Sequence, residues 1–365
     1  MQAGLLTTFK SPAKSRGYTA WILSVILFVF YILVYFTPIP DSWANAVGLN
    51  GKWQMYGVLY TLAMIIGGYF FLRKHGNSKY HKVRTWSVIF FQIVFAFSIP
   101  EIMGLFDSKG FNFAKFWPLG IEYLYPQYIF EYPLLIIVYA FVASLIAVPI
   151  LTLLYGKRWY CSWMCGCGGL AETAGDSFRH LSDKKVKAWK FEQWSIYTVL
   201  FLALLTTALV IINWGLHFEN EAGQWVTEFT TFDLIASKIQ GTYQFIVVAM
   251  LSGVLGVGLY PLMGSRVWCR FFCPLAAIMG LVQKFGRFRI TVKDDMCISC
   301  GNCSTYCEMG IDVRSYAQNN ESFKRASCVG CGMCAHVCPR GVLKLENKWD
   351  FKQSSDKSKR PVFDL

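Results

Sequence analysis

Apolar residues run almost unbroken through six stretches of this chain, near 18–37, 54–72, 86–106, 133–155, 193–213 and 242–263. Each approaches or exceeds the roughly 20 helical residues that a bilayer core requires. Pro38 and Pro40 close the first stretch, which carries no charge from Tyr18 to Thr37. A cleaved leader fits that stretch poorly: the apolar run is too long and no small-residue cleavage site follows. The pattern changes after residue 288. Short strand-like segments, Arg289–Val292 and Val342–Leu345, bracket a polar, cysteine-rich stretch. The expected architecture is an all-α polytopic membrane domain of about six helices, followed by a small, cysteine-rich α+β domain. The expected boundaries are an N-terminal segment 1–17, a membrane domain 18–288, the cysteine-rich domain 289–350 and a tail 351–365 that reads as a surface extension.

Charge supplies an orientation. Residues 1–17 hold Lys10, Lys14 and Arg16 with no acid, and Arg73–Arg84 holds five positive residues and no acid. Gly156–Lys190 holds seven positive and three negative residues. The alternate connections are neutral or acidic: zero over 38–54, −2 over 101–131 and −3 over 214–241. Basic loops stay on the cytoplasmic side, so both termini and the cysteine-rich domain are expected there, in a multi-pass protein of a bacterial inner membrane. The net charge of +13 is then topological, and no nucleic-acid partner is expected. The aromatic connections 107–131 and 214–241 read as interfacial segments lying along the outer face.

All 13 cysteines fall between Cys161 and Cys338. Cys297, Cys300, Cys303 and Cys307 form C-x2-C-x2-C-x3-C, and Cys328, Cys331, Cys334 and Cys338, followed by Pro339, repeat it. In such runs three close cysteines wrap one cubane and the fourth reaches to the other. That rule assigns Cys297, Cys300, Cys303 and Cys338 to one [4Fe-4S] cluster and Cys328, Cys331, Cys334 and Cys307 to a second. Zinc competes for thiolate sets, but it has no need of two triplet-plus-one copies. Glu308 stands where a proline is usual after the first motif, which predicts a less rigid loop without removing a ligand. Arg314, Arg325 and Arg340 around the motifs read first as a basic, solvated face, with tuning of the cluster potential or reception of an acidic donor as the alternatives.

A second repeat lies at the membrane edge. Gly156-Lys-Arg-Trp-Tyr-Cys161 matches Gly264-Ser-Arg-Val-Trp-Cys269, and both continue as C-x3-C, to Cys165 and to Cys273-Pro274. Three readings stay open for Cys161, Cys165, Cys269 and Cys273: ligands of a metal or third cluster, redox-active pairs, or buried packing residues. Arg158 and Arg266 nearby would favour thiolates. Cys167 has no counterpart and reads as structural. No pair of histidines sits centrally in a membrane helix, so haem is not expected, and every recognisable redox group lies on the inner side. Glu101, at the outer end of the third stretch, is a candidate for proton or quinol handling because an acid near that depth is functional by default; Glu131 is a weaker one.

Two C-x3-C(P) motifs on membrane helices followed by an eight-cysteine domain resemble the membrane polyferredoxins typified by NosR, NapH and CcoG, over roughly residues 55–345. The resemblance implies electron transfer between the quinone pool or a cytoplasmic donor and a redox partner, with other respiratory subunits as neighbours. Its CcoG branch implies an alternative, a factor that reduces copper for oxidase assembly through the membrane-edge thiols. A third reading is a cluster-bearing, non-catalytic subunit of a larger complex. No outer flavin-binding domain of the NosR type fits, so no covalent flavin is expected.

Overall fold

The computed structural model describes residues 17–106, 109–219, 225–227, 230–348 and 362–364. Lys10, Lys14, Arg16 and most of the tail lie outside them. Among the described residues six helices are long and apolar enough to cross a membrane: α1 (Tyr18–Phe36), α2 (Lys52–His75), α3 (Lys79–Leu105), α4 (Leu134–Tyr155), α6 (Val186–Gly215) and α7 (Thr231–Gly258). The shorter α5 (Gly166–Glu172) and α8 (Pro274–Phe285) follow the two membrane-edge motifs. The outward faces stay apolar and uncovered, with Leu135 83% and Trp194 67% exposed. In a water-soluble chain such faces would be buried; here lipid covers them.

Helix ends depart from the hydropathy pattern in a consistent direction. Helices α3 and α6 begin at Lys79 and Val186, not near 86 and 193. Their first turns are rich in lysine, a good helix former, so the helix continues past the hydrocarbon into the headgroups. Helix α7 begins at Thr231, well before 242, because Thr231–Tyr243 is only half apolar and escapes a hydropathy window. Asp233 in its first turn suits the positive end of the helix dipole, and its Oδ1 accepts from Asn213 Nδ2 at 2.8 Å. On the same side a short hairpin pairs β1 (His217–Glu219) with β2 (Trp225–Thr227). Three spans contain π-helical stretches, Gln92–Ser98 in α3, Val142–Ala147 in α4 and Gln244–Leu255 in α7. Such wider turns push side chains out of register and favour functional sites.

The connection before α4 does not lie along the outer face. From residue 109 it turns inward as a re-entrant segment that buries Phe111, Ala114, Phe116 and Tyr125. The Trp117 amide donates to Ser144 Oγ (3.1 Å), midway along the 22-residue α4, and its indole donates to Thr207 Oγ1 of α6 (3.2 Å). From the opposite end the loop after α4 meets it: Tyr160 donates to the Ala114 carbonyl at 2.9 Å, and the Tyr160 and Phe116 rings lie 5.2 Å apart. Backbone away from water needs such partners, and hydropathy alone does not reveal that they exist.

The C-terminal unit is a four-stranded sheet of order β5-β3-β4-β6, with β3 (Phe288–Val292), β4 (Phe323–Arg325), β5 (Leu343–Asn347) and β6 (Val362–Asp364). Strands β3 and β5 pair antiparallel with Ile290 opposite Leu345. The end of the tail therefore adds a strand, parallel to β4. Between the cysteine motifs the chain forms a helix over Val313–Gln318 and then β4, and Tyr316 stacks on Phe323 with centroids 4.3 Å apart.

The repeat recognised in the sequence has a common backbone. Gly156 and Gly264 close their helices at φ +72° and +97°. The amides of Cys165 and Cys273 donate back to the carbonyls of Tyr160 (2.7 Å) and Trp268 (3.0 Å). Each second cysteine is the residue immediately before its helix, α5 or α8. A Cβ at Gly264 would press on Ser182 in a conformation that L-residues avoid. Gly264→Ala should lower stability by about 1–3 kcal/mol in a thermal or denaturant unfolding series in detergent. Gly104→Ala, where a Cβ meets nothing within 4 Å, should leave the midpoint unchanged.

Candidate iron–sulfur and membrane-edge thiol site

The eight cysteines of the C-terminal unit open onto two cavities. One is lined by Cys297, Cys300, Cys303 and Cys338, with Arg314, Arg340 and Pro339 around them. The other is lined by Cys307, Cys328, Cys331 and Cys334, beside Met309, Ile311 and Val329. Gly301 and Gly332, at φ +76° and +81°, give the turns that start a short helix inside each motif. Among the described residues no three His, Cys, Asp or Glu side chains converge closely enough for a single metal ion. A zinc shell needs thiolates about 2.3 Å from one centre. Four sulfurs around a wider cavity instead suit a multi-iron cluster, so the donor set fits [4Fe-4S] chemistry. Burial raises the Cys303 and Cys328 thiols to about 11.

The two cavities differ in surroundings. Cys300 is exposed, so the first lies toward solvent. The second is gripped by the membrane domain along its backbone. Tyr80 donates to the Gly330 carbonyl (2.8 Å), Arg84 to that of Cys331 (2.6 Å), Ser162 to that of Val329 (3.0 Å) and Lys157 to that of Ala326 (2.9 Å). Gln283 of α8 donates to the Arg325 and Cys328 carbonyls.

Cys161, Cys165, Cys269 and Cys273 are all buried in one core that continues into the C-terminal unit through Met309, Ile311 and Val329. Arg266 donates to Cys269 Sγ (3.7 Å) and to the Cys161 carbonyl (3.0 Å), which ties the two halves of the repeat together. The Ala276 amide donates to Cys273 Sγ at 3.4 Å. Burial raises the Cys161 and Cys273 thiols. Cys165 is held down by a hydrogen bond from Cys167, so the residue without a counterpart in the repeat is the partner of one that has one. Arg158 does not join the thiols: its guanidinium lies 4.8 Å from the Phe288 ring centroid.

Cys165 and Cys167 also line a cavity of about 370 Å3 among the membrane helices. Tyr56 and Tyr60 of α2, Gln92 of the π-helical stretch, Trp268 and Lys115 of the re-entrant segment complete its wall. It therefore reaches from the thiols toward the end of the bundle away from the C-terminal unit. A second cavity of about 480 Å3 shares Tyr35, Trp53 and Val248 with it and continues in that direction. Glu101 lines neither; it accepts from Gln54 Nε2 at 2.7 Å. Glu131 pairs with Lys109 at the surface.

Glu308 is the largest departure from the expectation of a loose loop. It is fully buried and forms ion pairs with two arginines, Arg179 at 2.8 Å and Arg266 at 3.1 Å. Burial alone would raise its carboxyl, and these guanidinium groups overcome that and hold it low. The network continues: Glu172 pairs with Arg266 and, at 2.8 Å, with Arg84, while Arg179 also pairs with Asp176 at 3.1 Å. Arg179 Nη1 lies 3.9 Å from Cys331 Sγ. Three histidines converge beside it, with ring centroids of His81 and His336 4.8 Å apart and His75 and His336 5.4 Å apart. Nothing in the sequence spacing joins these residues, which come from separate elements.

Two family models match the chain. One, a 4Fe-4S dicluster domain, covers residues 290–345, and the other, a 4Fe-4S binding domain, covers 137–187 and 246–293, the two membrane-edge motifs. The putative electron transport protein YccM of Escherichia coli (strain K12) is 27% identical over 48% of this chain and 47% of its own length. The regulatory protein NosR of Stutzerimonas stutzeri is 26% identical over 52% of this chain and 24% of its own. Through these matches the chain is similar to the NosR/NapH-like membrane polyferredoxins. It is an iron–sulfur protein of the electron-transport type with membrane-spanning helices. The methylamine utilization ferredoxin-type protein MauN of Paracoccus denitrificans (strain Pd 1222) is 28% identical over 58% of this chain and 70% of its own length. The alignments span half or less of YccM and NosR, and no solved structure matches the chain.

The buried ion network makes Glu172 indispensable, since it faces two guanidinium groups with no water. Removing one partner of such a set typically costs about 3–5 kcal/mol. Glu172→Ala should lower the unfolding midpoint and the yield of folded protein by that order. A loss under about 1 kcal/mol, the scale of an exposed pair, would show the network to be hydrated.

Proposed function

We propose that this polyferredoxin is a membrane-anchored electron relay between a soluble donor or acceptor on the cytoplasmic side and a quinone held among its membrane helices. Cys297, Cys300, Cys303 and Cys338 would hold one [4Fe-4S] cluster, and Cys307, Cys328, Cys331 and Cys334 a second. Cys161, Cys165, Cys269 and Cys273 would hold a third, in keeping with a 4Fe-4S binding model that matches both of their motifs. One-electron exchange is what such groups supply when bound. The chain's own part is to fix their order and keep water out. The basic loops on the side of the C-terminal unit favour a cytoplasmic position for it, in a bacterial inner membrane, with other redox subunits as neighbours.

The observation that carries this reading is the position of the membrane-edge thiols. They stand between the second cysteine cavity, reached through Arg266, Glu308 and Arg179, and the 370 Å3 aromatic cavity that Cys165 and Cys167 line. A wall of aromatic rings interspersed with polar groups such as Gln92, Asn112 and Lys115 suits a flat ring bearing two oxygens. The Tyr60 hydroxyl and Gln92 amide are there to hydrogen-bond them. Delivery of copper through the same thiols finds less support, since no three donors converge on a single ion among the described residues.

Quinol added anaerobically to the purified protein should produce the EPR signals of reduced clusters. Ala96 lines the cavity away from every cysteine. Ala96→Trp should slow quinol-driven reduction by roughly tenfold, the effect of about 1.4 kcal/mol in the barrier. Iron content and the dithionite-reduced spectrum should stay unchanged. An unaltered rate would remove the quinone from this cavity.

A further inference from the structure

The buried ion network does more than join two domains, because its two ends touch sulfur. Arg179 Nη1 lies 3.9 Å from Cys331 Sγ, and Arg266 Nη1 lies 3.7 Å from Cys269 Sγ. Between them stands one carboxylate, Glu308, ion-paired with both at 2.8 and 3.1 Å. Both arginines and Glu308 are at most 1% exposed, so neither salt nor water screens them as at a surface. The carboxylates of Asp176 and Glu172 flank the outer sides of Arg179 and Arg266 and fix the direction in which each guanidinium points.

We infer that Glu308 is a positioning residue that sets, and couples, the reduction potentials of the two redox sites it separates, through Arg179 on Cys331 and Arg266 on Cys269. The inference rests on the ligand assignment proposed above. Its physical basis is that cluster potentials follow net charge and hydrogen bonds to the sulfurs. A reduced cluster carries one more negative charge than an oxidised one, so a nearby cation raises the potential and a nearby anion lowers it. Glu308 pairs directly with both arginines, and on each it outweighs the more distant or one-sided influence of Glu172. Proline, which is usual at this position, carries no charge and would leave Arg179 and Arg266 facing each other without that carboxylate.

The signs are distinctive. Glu308→Gln keeps the shape and removes the anion, so the potential of the Cys331 cluster should rise. Arg179→Gln removes the cation and its contact with sulfur, so that potential should fall. Arg179→Lys keeps the charge and should lie between Arg179→Gln and the parent. Each change to glutamine should move the reduced fraction at fixed solution potential by at least tenfold, which is 59 mV for one electron. The experiment is an anaerobic EPR-monitored redox titration of the full chain in detergent, with iron counted for each variant. Opposite shifts in Glu308→Gln and Arg179→Gln, at unchanged iron, support the inference. Shifts in the same direction, or none, overturn it. Should Glu308→Gln fail to fold, the comparison of Arg179→Gln with Arg179→Lys decides, and equal potentials in those two overturn it. Parent protein without cluster iron would instead remove the ligand assignment, a different failure.

Discussion

Three guanidinium groups and two carboxylates, Arg84, Arg179 and Arg266 with Glu172 and Glu308, meet out of water where the membrane helices receive the C-terminal unit, and a third carboxylate, Asp176, closes the set at its partly exposed edge. Charges there are costly unless each finds its partner. They come from α3, from α5 and the turn after it, from the second membrane-edge motif and from the first cysteine motif. The set is therefore satisfied in only one docking of the two parts. Two apolar surfaces could slide past each other by a turn; six interlocked charges cannot do so without leaving one unpaired. This fixes the second cysteine cavity next to the membrane-edge thiols.

A second constraint acts within the bilayer. The segment entering from the far side and the loop after α4 meet at Ala114 and Tyr160, deep enough that Trp117 bonds the middle of α4. Irregular backbone survives at such depth only when protein or a cavity surrounds it. Here both do, since the same segment supplies Lys115 and Leu119 to the 370 Å3 cavity. The two inward loops shorten the apolar distance between the thiols and the opposite face. Two of the membrane-edge cysteines, Cys165 and Cys167, thus share a wall with that cavity.

Much of this was legible in the residues. The six spans, the small sheet unit and its first and last core strands follow from apolar runs and strand-like segments. The eight cysteines at two matching spacings line two cavities, four to each. The offset repeat anticipated a shared backbone, down to Gly156 and Gly264. What stayed hidden depends on contacts between distant elements. The 107–131 connection looks interfacial because its aromatics fit either a headgroup belt or a re-entrant loop. Glu308 reads as a lost proline until Arg179 and Arg266 are seen to face it. Cys167 reads as an extra until it is found bonded to Cys165. The beginnings of α3, α6 and α7 were misplaced because polar first turns remain helical outside the apolar window.

The central claim is that twelve cysteines of this chain form three adjoining iron–sulfur sites, the third of them at the membrane edge. Iron and acid-labile sulfide counted per chain after anaerobic purification test it most directly. The account predicts about twelve irons, three cubanes of four, falling to about eight when Cys161 and Cys269 are changed to serine. Eight irons in the unmodified protein, unchanged by those substitutions, would contradict it.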